Sequence, residues 1–377
     1  MLHALSTKPY VLLMEENLRQ YYNKMKSIAT IAKYGGILLL LPGVKFGRDL
    51  HKELLPLAYV KRDTKEYSQD RTRWQPALLL TLCWKYKLID VSAYKPNSRF
   101  QRAIIRLWKA KINVDVEPFA EKKNARKEVL AFCKRYKIQI DPWVWNKPAG
   151  MYTSINDFFT RTYKEAKVID DLSNHFVIGS PVDCKLLLFD SIEHMQTIYI
   201  KSRHFTLAKM ELPSWETYKG SVAVCRLAPS DYHNFHMPVT GKIVNIYNKP
   251  TPNPHNMSHP VTRSVMVSED ITPLTYNRIE HVIIDTAFGL VAMCVVGATG
   301  VGTIIFEDFF KPGAFVDRGN LVGRFEKGGS TIVLITEHRV AWDSDITSLH
   351  KYNRDNTCEV ALTYGEQIGV GGQIGVL

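Results

Sequence analysis

The chain has 377 residues, 45% of them hydrophobic and 23% charged, which gives room for two domains and excludes a disordered or low-complexity protein. The formal net charge of +12 comes entirely from the first part: residues 1–150 carry 29 Lys and Arg against 13 Asp and Glu, residues 151–377 carry 20 against 24. The longest apolar run, Ile37 to Leu41, ends at Pro42 and falls far short of the roughly 20 residues a membrane-spanning helix needs.

Met1 to Tyr10 is basic and free of acid, without the apolar core and small-residue cleavage site of a signal peptide. Amphipathic helices follow. Met14, Leu18, Tyr21, Met25 and Ile28 recur at helical steps and stop before Gly35-Gly36. Phe100, Ile104 and Trp108 repeat the pattern among basic residues, as do Val129, Phe132 and Tyr136. Each pairs an apolar stripe with a basic one, as expected of core-packing helices and equally of helices lying on an anionic surface. The texture changes after Pro148-Ala-Gly150. Short β-rich runs punctuated by Gly and Pro then predict strands at Lys185–Phe189, Thr197–Ile200, Val222–Leu227, Lys242–Tyr247, His281–Asp285, Leu290–Val296, Thr303–Phe306 and Thr331–Thr336. The expected fold is α+β: a basic helical region over 1–150, then a compact β-rich, barrel-sandwich-like catalytic domain over 151–377.

The six cysteines (Cys83, Cys133, Cys184, Cys225, Cys294 and Cys358) show no metal-ligand spacing, and runs such as that around Cys294 read as sites of buried thiols in a reducing compartment. His255 and His259 in Pro254-His-Asn-Met-Ser-His-Pro260 lack partners at ligand spacing and read as a loop near the site, so no metal is expected. Positive charge alone does not make a nucleic-acid binder, and no helix-turn-helix, zinc module or aromatic RNA-binding motif accompanies it.

Three segments carry the functional signal. Arg226-Leu-Ala-Pro-Ser-Asp-Tyr-His-Asn-Phe-His-Met-Pro-Val-Thr-Gly241 sets His233 and His236 three apart near a strand. Arg324-Phe-Glu-Lys-Gly-Gly-Ser-Thr-Ile-Val-Leu-Ile335 opens a β-branched strand on Gly328-Gly329-Ser330. Ile178-Gly-Ser-Pro-Val-Asp-Cys-Lys185 puts Asp183 between a turn and a strand. Singly, they read first as a packed histidine beside an exposed one, a glycine turn that starts a strand and an exposed turn aspartate.

In this order and spacing they resemble the phosphatidylserine decarboxylases. Asp157-Phe-Phe-Thr-Arg161, Lys201-Ser-Arg-His-Phe-Thr-Leu207, Tyr276-Asn-Arg278 and Val296-Gly-Ala-Thr-Gly-Val-Gly302 extend the likeness over roughly residues 155–370. Cys184 stands where that family usually has Gly, and Gly328-Gly329 where many members have Leu-Gly, as in a branch associated with internal membranes of eukaryotes. The resemblance implies a proenzyme that cuts itself between Gly329 and Ser330, giving a large and a small chain with a covalent pyruvoyl group made from Ser330. Asp183, His236 and Ser330 would be orienter, base and nucleophile, the logic of the serine-protease triad, and His233 would act on the substrate. The implied reaction converts phosphatidylserine to phosphatidylethanolamine and CO2 through a Schiff base with the pyruvoyl carbonyl, in phospholipid biosynthesis. The expected partner is an anionic membrane surface on which the basic region 1–150 docks, the enzyme being intracellular and peripheral; a homodimer is left open. Two alternatives stand beside it: a decarboxylase of a free aromatic amino acid on the same fold, and a catalytically silent membrane-binding homologue.

Overall fold

A computed structural model describes residues 58–69, 125–138, 141, 144–192, 210–228, 230–249, 278–297, 303–326, 331–350 and 359–372. All of them belong to one compact unit, Glu53–Leu377. The elements in chain order begin with strands β1 (Ala58–Lys61) and β2 (Tyr67–Gln69), helices α1 (Ala125–Tyr136) and α2 (Ile155–Phe159), and strands β3 (Val177–Gly179) and β4 (Cys184–Phe189). Next come β5 (Val222–Arg226), β6 (Asn234–His236), β7 (Gly241–Lys249), β8 (Ile279–Thr286), β9 (Gly289–Val296), β10 (Thr303–Phe306), β11 (Phe315–Val316) and β12 (Leu321–Glu326). The chain closes with β13 (Thr331–Thr336), β14 (Ala341–Trp342), helix α3 (Ser344–His350), β15 (Glu359–Leu362) and β16 (Gln367–Val370).

Ten strands form one sheet in the order β11-β7-β8-β9-β13-β5-β4-β15-β1-β2, and two three-stranded sheets, β10-β12-β6 and β14-β16-β3, accompany it. β13 lies between β9 and β5, antiparallel to both, and its six residues are all buried because both faces of the sheet are covered. Period-two alternation sorts them: Ile332 and Leu334 join a core shared with Phe235, Phe325, Val322, Ile178 and Ile368 of the small sheets. Val333 and Ile335 face the other way, onto Met210, Leu212 and Tyr218. Gly323 of β12 lies directly opposite Phe235 of β6, and a Cβ there would run into the Ile305 carbonyl oxygen and the Phe235 ring, so glycine lets β10, β12 and β6 close up within their sheet. Phe235 is the middle residue of β6, so this close approach fixes the strand that carries His236.

The predicted strands from Lys185 to Thr336 form within a residue or two of their expected ends, apart from Thr197–Ile200, which lies outside the described residues. The domain is β-rich as expected, but the large sheet ends on β11 and β2, which do not pair, so it is not closed into a barrel. Of the helices expected in residues 1–150, the one carrying Val129, Phe132 and Tyr136 forms as α1 and packs Val129 and Cys133 against Tyr152 and Phe158. The stripes around Met14–Ile28 and Phe100–Trp108 lie outside the described residues. Residues 58–69 are a hairpin on the large sheet, β1 running parallel to β15, and Arg62 binds Asp343 Oδ2 at 2.7 Å and Glu366 Oε2 at 3.3 Å. Among the described residues no helix is long and apolar enough to cross a membrane. Cys133, Cys184, Cys225 and Cys294 are buried free thiols.

One ion pair is sealed in the sheet: Arg226 donates from Nε and Nη2 to the two carboxylate oxygens of Glu359 at 2.7 and 2.6 Å, with both side chains almost wholly buried. Replacing one partner leaves the other charge buried without its counter-ion. In the Ser330→Ala chain, Glu359→Gln should lower unfolding free energy by about 3–5 kcal/mol in a urea titration, and Arg226→Met with Glu359→Leu by much less. A double replacement as costly as the single one would contradict this.

Candidate active site

Of the predicted residues, Asp183, His233 and His236 lie among the described ones. Asp183 sits just before β4, the histidines enter on β6 and the turn preceding it, and Tyr364 comes from the turn between β15 and β16. β6 is tied down by its backbone: His236 N–H donates to Pro181 O at 2.8 Å, and Phe325 N–H to His233 O at 2.9 Å.

His236 is buried, and each ring nitrogen has a partner. Nδ1 lies 2.7 Å from Gly319 O, a pure acceptor, so Nδ1 carries the hydrogen and Nε2 the lone pair. The Tyr232 hydroxyl donates to that lone pair at 3.2 Å. The ring lies flat on that of Tyr364, 3.8 Å between centroids and 11° between planes. Burial pulls its pKa down to about 4, against the opposing effect of the Gly319 carbonyl.

His233 is fully buried. Its Nδ1 donates to Asp231 O at 2.8 Å, and its ring packs on Phe159 at 4.7 Å. Nε2 has no hydrogen-bond partner among the described residues. Burial, then the nearby Arg161 charge, push its pKa down to about 3. Both imidazoles are therefore uncharged at neutral pH with the lone pair on Nε2.

Asp183 Oδ1 accepts the Tyr364 N–H and Oδ2 the Tyr163 hydroxyl, each at 2.9 Å. Desolvation lifts its pKa to about 6, opposed chiefly by the Tyr364 N–H. Asp183 and His236 thus share Tyr364 as a neighbour, but no hydrogen bond joins them directly. Gly329 and Ser330 lie outside the described residues, between Glu326 at the end of β12 and Thr331 at the start of β13. Thr331 is buried, and its Oγ1 has no hydrogen-bond partner among the described residues. The His255–His259 loop also lies outside the described residues.

Several residues that build the site had no role in the sequence reading. Arg161, 3% exposed, donates to the Ser230 and Asp231 carbonyls at 2.8 and 3.0 Å, so the oxygen that orients His233 is itself held. Its guanidinium lies between the Trp145 and Phe158 rings, 4.6 Å from each. Lys185 grips the Asp231 carboxylate at 2.7 and 2.8 Å, and Asp231 Oδ2 also accepts the Ala228 N–H. Arg161, Tyr232 and Asp231 stood within quoted motifs; Tyr163 and Tyr364 did not. Tyr364, in Leu362-Thr-Tyr-Gly365, carries no local pattern that would have singled it out.

On a β-rich fold the described site thus holds two buried imidazoles, each with Nδ1 on a backbone carbonyl, and the buried Asp183 carboxyl. Comparison with known proteins gives it a family. The family model of phosphatidylserine decarboxylase matches residues 155–370. The phosphatidylserine decarboxylase proenzyme of Fusobacterium nucleatum is 33% identical over 254 residues, covering 66% of this chain and 79% of that protein. A proenzyme of the same name from Chlamydia trachomatis is 29% identical over 319 residues, covering 82% and 97%. Phosphatidylserine decarboxylase proenzyme 2 of Komagataella phaffii is 29% identical over 292 residues, covering 75% of this chain and 27% of that longer protein. The chain belongs to the phosphatidylserine decarboxylase family, a family of carboxy-lyases.

The buried groups predict how stability depends on pH. The histidines titrate near 6.5 when unfolded and near 3 and 4 when folded, so their contribution is complete above 6.5 and is lost as pH falls toward 4. Asp183, raised from 3.8 to about 6, acts oppositely: its contribution is complete below 3.8 and is lost as pH rises through 6. Two groups outweigh one. The Ser330→Ala chain should lose stability between pH 6.5 and 4, and a His233→Gln, His236→Gln version of it should lose less. Equal pH slopes in denaturant titrations would refute the assignment.

Proposed function

We propose that this protein is a phosphatidylserine decarboxylase that cuts itself between Gly329 and Ser330 and works through a pyruvoyl group made from Ser330. The observation that carries the reading is the pair of buried, neutral imidazoles, each with Nδ1 held by a backbone carbonyl and Nε2 left as acceptor. In self-cleavage, the Tyr232 hydroxyl gives up its bond to His236 Nε2, and that nitrogen takes the Ser330 hydroxyl proton as Oγ attacks the Gly329 carbonyl carbon. The amide C–N bond breaks, the nitrogen takes that proton from His236, and an ester forms. Elimination then removes the Ser330 Cα proton, breaks the Cβ–O bond, frees Gly329 as a carboxylate and leaves dehydroalanine. Its imine tautomer adds water at Cα, and the nitrogen of residue 330 leaves as ammonia.

The buried His233 Nε2 and Thr331 Oγ1, without partners among the described residues, fit a keto-bearing N-terminus at residue 330. A pyruvoyl carbonyl supplies the electron sink that loss of CO2 from an amino acid requires. His233, held by Asp231 O, presents Nε2 to the substrate as the group that assists loss of CO2 or the protonation of Cα. The Arg161 and Lys185 anchors on residues 230–231 keep that nitrogen in place.

The lipid substrate requires a protein that meets a bilayer. Residues 58–69 belong to the catalytic sheet, so docking on an anionic surface falls to the rest of the basic region 1–150, at about 1 kcal/mol per basic residue near the surface. Binding to phosphatidylserine vesicles should weaken markedly between about 0.1 and 1 M salt, where the screening length drops from ~10 to ~3 Å; binding indifferent to salt would contradict the electrostatic account.

The purified protein should run as two chains, 1–329 and 330–377, the smaller bearing a keto group in place of its amine by intact mass. His236→Ala should remain a single chain. His233→Ala should cleave but convert phosphatidylserine at least ~100-fold more slowly. Complete cleavage of the His236 variant would overturn its role as base. Turnover of free aromatic amino acids with no activity on the lipid would overturn the substrate.

A further inference from the structure

We propose that Tyr364 is a positioning residue for His236 and the link through which Asp183 acts on it, an inference that rests on reading His236 as the base of self-cleavage. The Asp183 oxygens are both engaged, Oδ1 by the Tyr364 N–H and Oδ2 by the Tyr163 hydroxyl, and neither bonds the imidazole. What the carboxylate holds is the backbone of Tyr364. What meets His236 is the ring of the same residue, stacked at 3.8 Å and 11°. The hydrogen bonds to Gly319 O and the Tyr232 hydroxyl hold the imidazole at its edge nitrogens; the stacked ring holds its plane.

The clamp is itself braced. The Tyr364 hydroxyl accepts the Lys167 N–H at 2.9 Å, and Lys167 Nζ donates to Tyr364 O at 3.0 Å and Thr363 Oγ1 at 2.6 Å. Gly365, at φ +80°, turns the chain directly after it and donates to Ser180 O at 2.8 Å, two residues from Val182 and three from Asp183. Ser180 in turn donates from Oγ to Val182 O. The turn carrying Tyr364 and the turn carrying Asp183 are therefore laced together on both sides of the carboxylate. Cutting between residues 329 and 330 would put Tyr364 on the small chain and Asp183 and His236 on the large one. The chain that receives the new N-terminus thus also supplies the surface that holds the base.

Three substitutions test this, read as the rate of cleavage of freshly made precursor. Tyr364→Leu keeps apolar bulk and loses the flat ring; cleavage should slow about tenfold to a hundredfold, the scale of misplacing a catalytic group by an ångström or less. Tyr364→Phe keeps the ring and should stay within about threefold of the parent. Combined with Asp183→Asn, Tyr364→Leu should add less than its own separate cost, because both act on one element. The pH profile supplies a readout that general loosening would not shift. The groups around the imidazole are the Tyr232 hydroxyl, the Tyr364 ring and the Gly319 carbonyl, with Asp183 on the Tyr364 amide and Arg318 preceding Gly319. Opening one face to water should move the acid limb of cleavage upward in Tyr364→Leu and leave it in place in Tyr364→Phe. Parental cleavage in Tyr364→Leu, a Phe variant as slow as the Leu variant, or full additivity with Asp183→Asn would overturn the proposal. Cleavage of His236→Ala at the parental rate would instead overturn the base assignment beneath it.

Discussion

Everything in this site depends on keeping two imidazoles uncharged inside the protein. Burial does the work: removing water from His233 and His236 disfavours the cation by far more than the carbonyls of Asp231 and Gly319 restore it. Those carbonyls accept from Nδ1 and leave the lone pair on Nε2 in both rings. The sheets enforce the burial. β6 sits in the second layer over the large sheet, its Phe235 in the core the layers share, and Gly323 lets the Phe235 ring lie against β12.

A second layer of charges keeps the carbonyls where they are. Arg161 and Lys185 are cations in the interior, one bound to the backbone of residues 230 and 231 and the other to the Asp231 carboxylate. Unpaired, either would be costly to bury; as anchors, they turn that cost into a fixed geometry for the turn ahead of His233. Arg161 also helps hold His233 neutral by placing positive charge nearby. One residue thus serves position and protonation state together.

Much of this was legible from residue order. The short β-rich runs Thr331–Thr336 and Leu290–Val296 announced strands, and the Val129, Phe132, Tyr136 stripe announced α1, because local composition and periodicity decide those elements. The short strands β6, β11 and β16 were not legible, since their existence depends on partners distant in sequence, although β10, also short, was. The hairpin at residues 58–69 was hidden for the same reason: its partner, β15, lies about 300 residues away, and nothing in Ala58-Tyr-Val-Lys61 points there. In the site, Asp183, His233 and His236 could be named because they sit in recognisable segments. Tyr364 could not, because its importance comes from a stack and an amide bond that only the folded turn creates.

The most direct test of this account is the state of the two imidazoles at pH 7 in the uncleaved Ser330→Ala chain, read from 15N chemical shifts of labelled histidine and assigned with His233→Gln and His236→Gln. The account predicts neutral rings for both, each protonated at Nδ1. A cationic ring, or a neutral one protonated at Nε2, at either position would contradict the claim that burial and two backbone carbonyls prepare these nitrogens to accept a proton.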